Sequence, residues 1–91
     1  MFLSLEFIGK RLRAIRKLRD LTQLQLAVAI GVGKEVVCRT EGGMREMAYH
    51  EAVAYAQVLC FCLNGFARTG ADGVWDITAC LLPYVEREMV V

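Results

Sequence analysis

The chain has 91 residues, 56% of them hydrophobic and 23% charged, with a formal net charge of +1. That length fits a single domain, and that hydrophobic content excludes a disordered tail or a supercharged arm. A single His and no cluster of carboxylates leave little scope for catalysis, so the chain reads as a non-enzyme.

Leu5, Ile8, Leu12 and Ile15 recur at helical spacing, while Lys10, Arg11, Arg13, Lys17 and Arg19 occupy the other sides. The pattern predicts an amphipathic first helix over roughly 5–19. Thr22, followed three residues later by Gln25, predicts a capping box at the start of a second helix, with Leu21 and Leu26 placed to staple it. Leu26, Ala27 and Ile30 line one face of that helix. Gly31 ends it, because glycine takes the left-handed cap conformation without steric cost. A third short helix is expected over roughly 33–41, with Val37 inward and Gly42-Gly43 as its stop. Residues 44–48 read as a loop. Ala52, Val53, Ala56 and Leu59, with Tyr55 beside them, predict a fourth helix over roughly 49–60. Residues 64–73 read as a turn-rich connector. The last segment, 74–91, fits two patterns. Trp75, Ile77, Ala79 and Leu81 alternate as a strand would, whereas Val74, Ile77, Leu81 and Leu82 suit a helix interrupted by Pro83. Helix is the preferred reading.

The near-zero net charge hides an asymmetry. Residues 1–45 carry nine basic and four acidic side chains, whereas residues 46–91 carry two and six. A basic half and an acidic half suggest an end that faces a polyanion and an end with another task. No apolar run reaches the ~18–20 residues of a membrane span. The apolar start, Met1–Ile8, lacks the basic region and cleavage site of an export signal, which points to a cytoplasmic protein. Cys38, Cys60, Cys62 and Cys80 are then expected as free thiols, most of them buried and structural. Cys60-Phe61-Cys62 has the wrong spacing for a metal knuckle, and His50 has no evident acid partner, so neither a metal nor another cofactor is expected.

Two short helices joined by a tight glycine turn, the first opening on a capped Thr-Gln, describe a helix-turn-helix. Residues 8–63 resemble the domain shared by the lambdoid phage repressors, Cro proteins and related regulators of the XRE family. The likeness rests on Ile8-Gly9-Lys10-Arg11-Leu12-Arg13, Leu21-Thr22-Gln23, Leu26-Ala27, Ile30-Gly31-Val32, Val37, Glu41-Gly42-Gly43 and the helix around 52–59. It implies an all-α, lambda-repressor-like domain of four to five helices over 5–66. A C-terminal extension, 67–91, would follow as a dimerisation segment that the domain does not need for folding.

By the same resemblance, the third helix enters the major groove of double-stranded DNA. Lys34, Glu35 and Arg39 would read bases, Val36 would touch a thymine methyl, and Cys38 would be exposed beside them. Gln23, Arg11, Arg45, Lys10 and Lys17 would meet phosphates. Arg16 and Glu41 match a partly buried ion pair between the first and third helices. Four residues depart from the family pattern: Gly33 for a Ser/Thr cap, Thr40 for a large apolar residue, Met47 for a Pro, and Cys60 for a Gly. Thr40 predicts weaker packing, and Cys60 predicts a fourth helix that runs on. The implied function is a transcriptional repressor acting as a homodimer on a palindromic operator. The alternatives are the antitoxin of a toxin–antitoxin pair, with a protein partner on the C-terminal half, or an interaction module that keeps the fold without binding DNA.

Overall fold

In the computed structural model, residues 4–68 and 75–84 are described. Five helices follow in order: α1 (Leu5–Leu18), α2 (Gln23–Ile30), α3 (Lys34–Glu41), α4 (Tyr49–Leu59) and α5 (Leu63–Ala67). Among the described residues, one 3-10 turn, Ile77–Ala79, comes after them. No helix among the described residues is long and apolar enough to cross a membrane.

Local chemistry sets the first boundaries. Ser4 caps α1 by accepting from the Phe7 amide at 3.2 Å. At α2 both arms of the capping box form: the Gln25 amide donates to Thr22 Oγ1 at 3.0 Å, and the Thr22 amide donates to Gln25 Oε1 at 2.8 Å. Gly31 ends α2 with φ +79°, a left-handed conformation that an L side chain would strain. Gly33 starts α3 in an extended conformation without a side-chain cap.

Leu12, Ile15, Leu26, Ala27, Val37, Tyr55 and Leu59 fill the centre, with no measurable exposure. α1 crosses α3 closely enough that Gly9 admits no side chain. A Cβ there would lie 2.7 Å from the Thr40 carbonyl oxygen.

The structure differs from the sequence reading at its C-terminal end. α4 does not run on: it stops at Leu59, and Cys60 takes the left-handed conformation (φ 56°) that a glycine would take at no cost. The Phe61 amide then returns to the Ala56 carbonyl at 3.1 Å. Residues 64–67, expected in a connector, complete α5, because Phe66 buries its ring in stacked contact with Phe61, 4.9 Å between centroids. The remainder of that connector, 69–73, lies outside the described residues.

Residues 75–84 form neither the preferred helix nor a full strand. Phe61 and Leu81 make one antiparallel bridge, flanked by bonds from the Cys62 amide to the Cys80 carbonyl (2.7 Å) and from the Leu82 amide to the Cys60 carbonyl (2.9 Å). Cys80 is fully buried, and Trp75, Ile77 and Leu81 pack on the same core as α1–α5. These tail residues thus supply core rather than standing off it. Val74, Val85, Met89, Val90 and Val91, which contributed to the expected dimer segment, lie outside the described residues.

Candidate nucleic-acid interface

A helix that reads a groove must be held firmly while its outer face stays open. Arg16 does much of the holding. Its Nε and Nη2 donate to the two Glu41 carboxylate oxygens at 2.7 and 3.0 Å, and its Nη1 donates to the Leu21 carbonyl at 2.7 Å. Both side chains are nearly sealed from solvent, at 9% and 3% exposure. One guanidinium therefore joins α1, the entry to α2 and the end of α3. The Gln23 side-chain amide adds a bond to Glu41 Oε1 at 3.2 Å. A bidentate charge-assisted pair of this kind fixes orientation as well as distance.

The faces of α3 follow from its period. Val37, Thr40 and Glu41 point inward, whereas Lys34, Glu35, Cys38 and Arg39 are exposed and Val36 is half-buried. The Glu35 carboxylate folds back over Gly33, in the space that a side chain would otherwise occupy. It would have to swing outward before it could meet a base edge. Thr40 fits its buried site better than its polarity suggested. Its hydroxyl donates to the Val36 carbonyl at 2.8 Å and accepts from Arg45 Nη1 at 3.1 Å. The Tyr55 hydroxyl stands next to Thr40, short of full hydrogen-bond geometry, and burial pushes its pKa up.

Beside α3 lies an open groove of about 660 Å³, lined by Arg13, Lys17, Thr22, Gln23 and Lys34 among others. Arg13 and Lys17 of α1 and Lys34 of α3 meet there at the first turn of α2, whose leading amides lack helical partners, beside Asp20 and the Arg16 already paired with Glu41. Sequence reasoning assigned Lys17 and Gln23 to phosphates and Lys34 to bases, and gave Arg13 no DNA contact. The 13/17 spacing, one helical turn, was the signal for the pair.

Three other cations have different surroundings. Arg11, expected at a phosphate, is buried: its Nη1 donates to the Phe66 carbonyl at 2.7 Å, and its guanidinium lies 5.0 Å over the Trp75 ring. The cause is its register, one residue before Leu12 and four before Ile15, which turns it toward the core. Desolvation lowers its pKa. Arg45 grips Glu51 with two bonds of 3.0 and 3.1 Å, so a phosphate would have to compete for it. That grip, with the Ala48 amide, holds the Glu51 carboxyl below the usual carboxylate range. Lys10 is exposed on α1 and pairs with Glu6 at 3.1 Å.

Arg19 was not singled out by the sequence. It donates to the carbonyls of Leu59 (2.9 Å), Cys60 (3.0 Å) and Leu82 (2.9 Å) and sits 4.7 Å over the Tyr84 ring. It satisfies carbonyls at the end of α4, a role open to any long cation near a helix C-terminus. Among the described residues, no three His, Cys, Asp or Glu side chains gather as metal ligands would.

No family model matches the chain, and no curated protein matches it. Solved structures do. The restriction-modification controller protein C.AhdI from Aeromonas hydrophila is similar at a TM-score of 0.61 and 29% identity, over 65% of this chain and 89% of its own. The clp gene regulator ClgR from Corynebacterium glutamicum is similar in two crystal structures. One gives a TM-score of 0.67 at 23% identity, over 71% of this chain and 83% of that one. The other gives 0.62 at 25% identity, over 65% and 63%.

Proposed function

We propose, from its likeness to helix-turn-helix proteins of the Cro/repressor type, that the chain is a transcription regulator that inserts α3 into the major groove of double-stranded DNA. The observation that carries this reading is the exposed face of α3, with Lys34 and Arg39, standing beside the cationic groove of Arg13 and Lys17. Arg39 forks onto a guanine, Lys34 donates to a second base, and Val36 meets a thymine methyl. Glu35 accepts from a cytosine amine once it leaves Gly33. Gln23, Lys17 and Arg13 follow the phosphates, with Lys10 further out along α1.

The protein acts as a homodimer and represses by occupying an operator of two inverted half-sites about one helical turn apart. Support for a partner surface comes from a shallow apolar groove of about 300 Å³ lined by Val53, Ala56, Leu63, Leu82 and Pro83. A C2 dimer would bury such a face against itself. Because Trp75, Ile77, Cys80 and Leu81 already serve the core, the self-contact falls to Leu82 and its surroundings rather than to all of 74–91.

The test is selection of bound duplexes from a random pool, followed by titration of the recovered site at several salt concentrations. One inverted-repeat site is expected. Arg39→Ala should lose about 1–3 kcal/mol on that site and relax preference at one base pair. Equal loss on every sequence would reassign Arg39 to a phosphate. No enrichment from the pool would remove the DNA-binding reading.

A further inference from the structure

We propose that Cys62 and Cys80 form an oxidisable pair, which a hydroperoxide converts to an intramolecular disulfide that fastens the C-terminal segment to α5. Backbone geometry brings the two residues together. The Phe61–Leu81 bridge sets Cys62 directly across from Cys80, and the Cys62 amide already bonds the Cys80 carbonyl at 2.7 Å. The two share that one bond, the Cys80 amide turning to the Ile77 carbonyl at 3.2 Å, and residues opposed across an antiparallel pairing have Cα atoms ~4.5–5.5 Å apart, inside the ~4.4–6.8 Å range that a disulfide spans.

The side chains converge as well. Cys62 is the residue from which α5 starts, so its sulfur lies beside the leading amides of Asn64 and Gly65. Cys80 packs on that same Gly65: a Cβ there would lie 2.9 Å from Cys80 Cα and Cβ. The Cys80 thiol donates to the Ile77 carbonyl at 3.2 Å and leaves that carbonyl to meet Cys62. The remaining cysteines are placed differently. The Cys60 thiol turns back to the Gln57 carbonyl at 3.7 Å and faces Leu82 across the bridge, and Cys38 is exposed on α3.

Chemistry divides the roles. Cys62 is half-buried, and the nearby Gly65 and Asn64 amides favour its thiolate, which lowers its pKa. Cys80 is buried, and desolvation pushes its thiol up. An accessible, low-pKa cysteine next to a second thiol is the arrangement of redox-sensing pairs. The Cys62 thiolate attacks one peroxide oxygen; an S–O bond forms, the O–O bond breaks, and the other oxygen leaves as alcohol or water. The Cys80 thiol then gives up its proton and attacks the Cys62 sulfur. An S–S bond forms, the S–O bond breaks, and water departs. Two thiols lose two electrons in all, and the hydroperoxide gains them.

The experiment treats the reduced full chain with hydrogen peroxide and reads intact mass, thiol count, peptide map and melting temperature. The expected product is a monomer lighter by about 2 Da. Its free thiols fall from four to two, and its linked peptides carry Cys62 and Cys80. Closing this loop should raise the melting temperature by at least about 5 °C, reversibly on adding a dithiol reductant. Cys60→Ser should preserve the link, and Cys62→Ser should abolish it while the reduced variant stays folded. A link mapped to Cys60, a sulfinic acid at Cys62 without a disulfide, or disulfides only between chains would overturn the proposal. Mapping in the unsubstituted protein decides the matter even where Cys80→Ala fails to fold.

Discussion

Two arginines of α1, five residues apart, enter the protein on different terms. Arg16 meets a carboxylate on two edges and a carbonyl on a third, between α1 and α3. Arg11 meets the Phe66 carbonyl and the face of Trp75, between α1 and the C-terminal end. The helix-turn-helix is therefore closed by compensated charge, whereas the opposite end is closed by stacked rings and backbone bonds that receive a cation. The first arrangement is directional and fixes the angle of α3. The second covers the base of the bundle and allows more latitude in side-chain identity. A mutation that strands a buried charge should thus cost more at the first end than at the second.

The largest effect tests that ranking directly. Glu41→Ala leaves Arg16 buried without its carboxylate and should destabilise the protein by about 3–5 kcal/mol in urea titration. If Glu41→Ala costs less than Arg11→Ala, the ranking of the two ends is reversed. Arg11→Ala should cost about 2 kcal/mol, through a lost charged hydrogen bond and lost cover for Trp75. Its stable remainder should bind DNA with an unchanged salt slope. A slope that falls with Arg11→Ala would return Arg11 to the phosphates and erase the contrast with α1's outer face.

Lys17→Ala sharpens the same contrast from outside. It should leave the melting curve within error, weaken binding to all duplexes alike, and lower the salt slope by roughly one. The smallest effect concerns pH. The Glu51 carboxyl titrates below its unfolded value because Arg45 bonds its charged form. Its contribution is present above pH ~4.3 and fades as pH falls through the folded pKa. Glu51→Gln should therefore flatten the acid limb of the stability profile without moving its neutral plateau by much. An acid limb identical to that of the unsubstituted protein would place the controlling carboxylate elsewhere.

The helix-turn-helix end was legible because its determinants are local. Thr22, Gln25 and Gly31 sit within ten residues and act on neighbouring backbone, so α2 was bounded to the residue. The ends of α1, α3 and α4 lay within a residue or two of expectation for the same reason. The Arg16–Glu41 contact came from family likeness rather than periodicity. What escaped depends on distant partners. Arg11 and Lys10 are adjacent cations on one helix, and only the position of Phe66 and Trp75 tells which of them is covered. α5 was hidden by Asn64 and Gly65, poor helix formers that are tolerated because Phe66 stacks on Phe61 and Gly65 makes room for Cys80. Residues 75–84 alternate weakly because they pair at one point only, which is too short to impose a strand's period.

The left-handed turn at Cys60 has a consequence for the order in which the molecule assembles. α1 to α4 gather their core from contacts between helices next to each other or one apart in the chain, which form before more distant ones. The bridge from 60–62 to 80–82 needs α4 to have ended and the chain to have reversed, and the segment's contacts back to α1 close the longest loops: Arg19 to the Leu82 carbonyl spans 63 residues, against 25 for Arg16 to Glu41. Contacts made by Trp75, Ile77 and Leu81 are thus late ones. Weakening them should leave the folding rate almost untouched and appear nearly whole in a faster unfolding rate, so the segment that sequence periodicity describes least governs how long the native protein persists.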